Sequence, residues 1–247
     1  VGTDLGFVRL TKYVMESSDA VTSVSEWLTE ETRREFNLNR AVRTIYNFVN
    51  LDKFDSHSVE RCKLAETDEK IVMHISNFRP VKRVTDVVRA FKKISDRVPA
   101  RLVMVGDGPE RLSAVGVARQ LGITDRIRWL GNNENIEMIL PCADLVFQPS
   151  EHESFGLVPL EAMACEVPVL GTDSGGVREV VVNGETGYLC EVGDIESMAA
   201  RAIEILTDSG LAQRMGKAGR VRVQKNFGRD KIVTQYEALY EELLNAN

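Results

Sequence analysis

The sequence predicts an α/β fold built on a doubly wound parallel sheet. Three observations predict it. Short apolar runs recur at residues 71–77, 101–106, 126–130, 144–148, 167–172 and 187–190, too uniformly apolar for strands with one wet face. Stretches with helical period lie between them, as a sheet covered on both faces requires. The glycine-rich and charged motifs from residue 76 onward follow such runs, where the carboxyl ends of parallel strands form a crevice.

Residues 19–24 read as a short strand, Ser25 as a helix cap and the following residues as a helix to about Phe36. Residues 42–49 are another strand candidate. Residues 50–70, NLDKFDSHSVERCKLAETDEK, are polar and weakly periodic, which predicts a linker. The division expected is 1–50 as a remnant of a preceding domain, 51–70 as the linker, 71–227 as the main domain and 228–247 as a terminal helix. Val84, Val87, Val88, Phe91, Ile94 and Val98 share one helical face after the first core strand. Val105-Gly-Asp-Gly-Pro-Glu110 reads as a tight turn feeding a helix, with Pro109 at its start. Ile232, Val233, Tyr236, Leu239, Tyr240 and Leu243 form the apolar stripe of the terminal helix.

Of 247 residues, 43% are apolar, enough for a sizeable core, and the net charge of −6 argues against nucleic acid as main partner. No uncharged apolar run approaches the roughly 20 residues that span a bilayer. The chain begins with Val1 and shows no signal peptide, which predicts a piece of a longer chain. Cys62, Cys142, Cys165 and Cys190 have no CxxC spacing and read as buried thiols of a cytoplasmic protein; His57, His74 and His152 lack ligand spacing, so no metal site is expected.

Residues 151–180, EHESFGLVPLEAMACEVPVLGTDSGGVREV, carry the most chemistry. Phe155, Gly156, Leu157 and Val158 are expected to form a first helical turn, with Pro159 inside it and Leu157, Leu160, Met163 and Ala164 on one apolar face. Such an end offers unpaired amides and a positive dipole to phosphate. Glu153 precedes the helix, next to Ser154, and Glu161 lies one turn in. Carboxylates repel phosphate but accept from sugar hydroxyls, so one Glu is expected to face a ribose and the other a transferred sugar. Gly175-Gly176 suits either phosphate contact or close helix packing. Ser76-Asn77-Phe78-Arg79-Pro80-Val81-Lys82-Arg83 supplies cations that could neutralise a diphosphate, Arg79 and Lys82 being the candidates.

The ESFGLVPLE segment from Glu153 to Glu161 resembles the Glu-x7-Glu pattern of retaining glycosyltransferases of family 4, whose fold is two-domain GT-B. The resemblance covers most of the chain and is strongest over 71–190. It implies the C-terminal, Rossmann-like half of a GT-B fold plus a piece of the N-terminal acceptor domain, with the last helix returning toward that domain. It implies that Glu153 orients the donor sugar and Glu161 grips the ribose. Arg79, Lys82 and the helix start at Gly156 would hold the departing diphosphate, which could take the acceptor proton without metal or other cofactor. Gly106 and Asn132 would lie near the nucleotide, the latter in a Leu130-Gly131-Asn132-Asn133 loop suited to backbone reading of uracil. Lys82 matches the family's loop lysine, whereas Asn77 replaces its usual arginine and Arg79 follows two residues later. That departure resembles the bacillithiol-pathway synthases that join N-acetylglucosamine to L-malate. Val1-Gly2-Thr3-Asp4 resembles the family's His-Gly-Thr-Asp, with Thr3 a substrate contact and no imidazole at Val1. Arg9 matches a position expected to meet an acceptor carboxylate, or is a surface arginine.

The expected function is transfer of N-acetylglucosamine from UDP-N-acetylglucosamine to L-malate or a similar small acceptor with retention. The alternatives are a family 4 transferase with a lipid or polysaccharide acceptor, or a sugar-nucleotide-binding piece without turnover. A homodimer is a further possibility.

Overall fold

The computed structural model describes residues 5–55 and 64–246. The chain opens with α1 (Leu5–Ser17), β1 (Thr22–Ser23), α2 (Glu26–Phe36) and β2 (Arg43–Thr44). Next come β3 (Lys70–Ile75), α3 (Val84–Ser95), β4 (Ala100–Val105), α4 (Arg111–Gln120), β5 (Ile127–Gly131), α5 (Ile136–Ile139) and β6 (Leu145–Gln148). The remainder is α6 (Leu157–Ala164), β7 (Val169–Thr172), α7 (Val177–Val180), β8 (Gly187–Cys190), α8 (Ile195–Thr207), α9 (Ser209–Asn226) and α10 (Arg229–Ala246).

The main sheet is six-stranded and parallel, in the order β5-β4-β3-β6-β7-β8, so the winding reverses between β3 and β6. Strand side chains alternate between the two faces. Val72, Leu102, Met104, Leu145 and Phe147 join α3, α4 and α8 on one side. Ile71, Met73, Val103, Val105 and Val146 join α6, α7 and the end of α9 on the other. Burial on both faces is the reason these strands read as continuous apolar runs. Among the described residues no helix is long and apolar enough to cross a membrane.

Six predicted strands lie within two residues of the observed ones, and Ser25 caps α2 by accepting from Leu28 N at 3.0 Å. Other expectations are corrected. The strand expected over 42–49 shrinks to Arg43–Thr44, paired only with β1. α1 was not anticipated; Arg40 stabilises its C-terminal end by donating to the carbonyls of Met15, Glu16, Ser18 and Asp19. At the described ends of the 51–70 segment, Phe54 and Leu64 are buried in the main core. α10 contributes Ile232 and Leu239 to a cluster with Ile45, and Glu242 pairs with Arg43 at 2.9 Å. Cys165 and Cys190 are buried thiols, whereas Cys142 is disulfide-bonded. Cys62 and His57 lie outside the described residues.

Candidate active site

The site forms where the sheet reverses. β3 delivers the loop of Asn77, Arg79 and Lys82, and β6 delivers the loop of Ser150 and Glu153; Glu151 N donates to Val81 O at 2.8 Å, joining the two. Lys82 Nζ then meets Glu153 Oε1 at 2.5 Å, both side chains being largely shielded. Ser150 Oγ, at 2.9 Å, and Gln148 Nε2, at 3.3 Å, donate to the same oxygen.

The glycine pair backs this loop. Gly176 N donates to Glu153 O at 2.8 Å, and a Cβ on Gly175, at φ +65°, would fall 2.3 Å from that carbonyl. Of the two readings left open for Gly175-Gly176, close packing accounts for the contacts. Gly156, at φ +107°, precedes α6. The helix therefore starts at Leu157, two residues later than expected, because the left-handed Gly156 breaks the turn that Phe155 was to open. Leu160 N reaches back to Gly156 O at 3.0 Å, while the amides of Leu157 and Val158 have no partner among the described residues. Those two amides and the helix dipole are what an anion would meet.

Glu161 lies one turn into α6. Burial pushes its carboxyl up to about 7, with Lys53 opposing and Glu137 adding to the shift. Lys53 pairs with Glu137 at 3.2 Å.

Beneath the loop, His74 is wholly buried. Its Nδ1 lies 2.9 Å from Phe147 O and its Nε2 2.8 Å from Ser76 Oγ. A carbonyl only accepts, so Nδ1 carries the proton, Ser76 O–H donates to Nε2, and Ser76 Oγ accepts from Phe78 N at 3.2 Å. Burial pushes the imidazole down to about 4, the Phe147 carbonyl opposing and the Lys82 charge adding. The folded state thus holds His74 neutral while the unfolded chain protonates near its ordinary value. Stability should be full above about pH 6.5 and fall by roughly 3 kcal/mol as pH drops toward 4. Urea unfolding over that range should show a shallower dependence for His74→Gln than for wild type; parallel curves would refute the assignment.

Comparison with known proteins places the chain in a family. The model for glycosyl transferases group 1 matches residues 58–222. The chain belongs to that family. This group 1 chain is 44% identical over 99% of its length to the N-acetyl-alpha-D-glucosaminyl L-malate synthase of Bacillus anthracis, of which it spans 65%. It is 29% identical over 92% of its length to an uncharacterized glycosyltransferase of Methanocaldococcus jannaschii, of which it spans 60%. Among solved structures, a sucrose-phosphate synthase from Thermosynechococcus elongatus superposes with a TM-score of 0.90 at 29% identity, over 99% of this chain and 63% of that one. Anabaena HepE, solved with UDP and glucose, superposes at 0.86 with 20% identity, over 97% of this chain and 68% of that one, and speaks to fold alone. The fold is the Rossmann-like half of the GT-B architecture.

Within this group 1 chain the structure brings Lys82 and Glu153 together. It leaves Arg79 exposed on the same turn with no partner among the described residues, and Asn77 and Asn132 exposed at strand-end loops. Ser154 is exposed, its carbonyl held by Ser25 Oγ at 2.6 Å. The Phe155 side chain packs inward, away from the crevice. Its ring is 1% exposed between Tyr46 and Phe227, because the side chain turns into the core as the backbone passes the helix mouth. Leu157 leaves the expected apolar face and is 46% exposed, whereas Leu160, Met163 and Ala164 turn inward as expected. Gly106 serves the turn: at φ +115°, a Cβ there would fall 1.8 Å from Ser76 O. Arg9 is exposed on α1, and Thr3 lies outside the described residues. Sequence reasoning missed Gln148, Ser150, His74, Lys53 and Glu137. The polar Gln148 and His74 inside apolar strands were the available signal, since buried polar groups need partners.

Proposed function

We propose that this chain supplies the donor-binding half of a glycosyltransferase that moves N-acetylglucosamine from UDP-N-acetylglucosamine to L-malate or a similar small hydroxy acid, with retention. One observation carries the reading: a cation and a carboxylate, Lys82 and Glu153, converge beside the open amides of α6 at the reversal of a parallel sheet. Lys82, Arg79 and the Leu157 and Val158 amides hold the diphosphate. Among the described residues the Glu153 carboxylate takes its hydrogen bonds on Oε1, leaving Oε2 for a sugar hydroxyl. Glu161 accepts from the ribose. As the glycosidic bond breaks, charge grows on the diphosphate where the cations and amides await it. A diphosphate oxygen takes the proton of the acceptor hydroxyl attacking from the same face, so no enzymic nucleophile or metal is needed. The 44% identical relative named for the malate reaction supports the choice of sugar and acceptor.

Calorimetry with UDP and UDP-N-acetylglucosamine tests the binding half. Glu161→Ala should weaken UDP by about tenfold, as expected for loss of charge-assisted hydrogen bonds. Because free Glu161 holds its proton up to about 7, wild-type affinity should rise as pH climbs through that value, and Glu161→Gln should flatten the rise. Unchanged affinity in both variants removes Glu161 from the site. Sugar transfer by the full-length protein should persist undiminished in EDTA, and NMR of the product should show the donor's anomeric configuration.

A further inference from the structure

The start of α2 is capped from far along the chain. Glu179, on α7, accepts from Glu26 N on Oε2 and from Trp27 N on Oε1, each at 2.8 Å. Ser25 Oγ accepts from Leu28 N, so the first three amides of α2 are all satisfied, two of them by a full negative charge at the positive end of the helix. That hydroxyl also donates to Ser154 O at 2.6 Å, and the Trp27 ring stacks on His152 at 6.1 Å. Glu179 is itself braced. Arg222 donates to the carbonyls of Val180 and Glu179 at 2.8 and 2.7 Å. Burial, and then the adjoining Glu179 carboxylate, push the Tyr46 phenol up to about 12.

The same short helix backs the site loop, for Gly176 N, three residues before Glu179, holds Glu153 O. Two routes therefore run from α2 to the loop, one through Glu179 and Gly176 to Glu153, the other through Ser25 to Ser154. We infer that Glu179 is a positioning residue, a latch that seats residues 20–49 on the loop of Glu153 to Gly156 and so sets the geometry at the mouth of α6. Its consequence for ligand affinity rests on the donor-binding role proposed above; the mechanical coupling does not. A carboxylate suits the task because it offers two acceptor oxygens and a charge to two neighbouring amides, which neither glutamine nor alanine reproduces.

Hydrogen exchange read by mass spectrometry, together with UDP calorimetry, tests this on wild type, Glu179→Ala, Glu179→Gln and Ser25→Ala. Glu179→Ala should speed exchange at the start of α2 by at least about tenfold, as loss of two charge-assisted bonds implies. It should also raise exchange across residues 150–157 and weaken UDP several-fold, with Glu179→Gln intermediate. Ser25→Ala should loosen 150–157 by the second route. The latch is overturned if Glu179→Ala frees α2 while residues 150–157 keep wild-type protection. Should Glu179→Ala fail to fold, Glu179→Gln and Ser25→Ala decide by the same readings. Wild type that does not bind UDP would defeat the function proposed above, leaving the exchange comparison to judge the latch alone.

Discussion

Lys82→Ala is expected to lower stability by about 2–3 kcal/mol, because Glu153 would be left largely buried with its charge uncompensated. The same change should weaken UDP by at least about tenfold through loss of a cation from the diphosphate. The two effects have different remedies. Pairing Lys82→Met with Glu153→Gln removes both charges, so thermal unfolding should recover most of the lost stability while UDP binding stays weak. Binding that returned with stability would make the pair a structural tie and sink its proposed role. Lys82 and Glu153 are only 18% and 13% exposed, which is why the effect should exceed the fraction of a kcal/mol typical of surface pairs.

Gly106→Ala should be at least as damaging. The residue stands at φ +115°, and its new Cβ would fall 1.8 Å from Ser76 O, a backbone atom that cannot rotate away. Strain and overlap together should cost about 3 kcal/mol or more. The displaced segment is the one that His74 anchors through Ser76 and that carries Lys82 toward Glu153, so UDP affinity should fall as well. Gly116→Ala is the matched control. It lies inside α4 with nothing within 4 Å of its new Cβ, and should be neutral or stabilise by up to about 1 kcal/mol. Denaturant titration showing Gly106→Ala within about 0.5 kcal/mol of wild type would contradict the contact.

The strands were legible because each is a predominantly apolar run, the signature that burial on both faces of the sheet leaves. α1 was not, since it leaves Phe7, Leu10, Tyr13 and Val14 exposed and so has no clean inward stripe. The short β1 and β2 fall inside the strands read at 19–24 and 42–49 but were drawn too long, two residues each being too few to show where a period ends. At the site, Glu153 and Glu161 could be picked out by spacing, but Phe155 between them could not be assigned inward. A residue just before a helix has no periodic partner to fix its direction.

What the sequence by itself determined was the doubly wound sheet, the helix start with an acid on either side of it, and the cationic loop after the first core strand. These are local facts, written in periodicity, glycine and proline placement, and charge. The tertiary structure alone decided which groups meet. Lys82 finds Glu153 across 71 positions because β3 and β6, far apart in the chain, are neighbours in the sheet. Glu179 reaches the amides of α2 across more than 150. It also decided that His74 is neutral and that Glu161 holds its proton to about 7, since desolvation depends on the atoms folded around a group and not on those beside it in sequence.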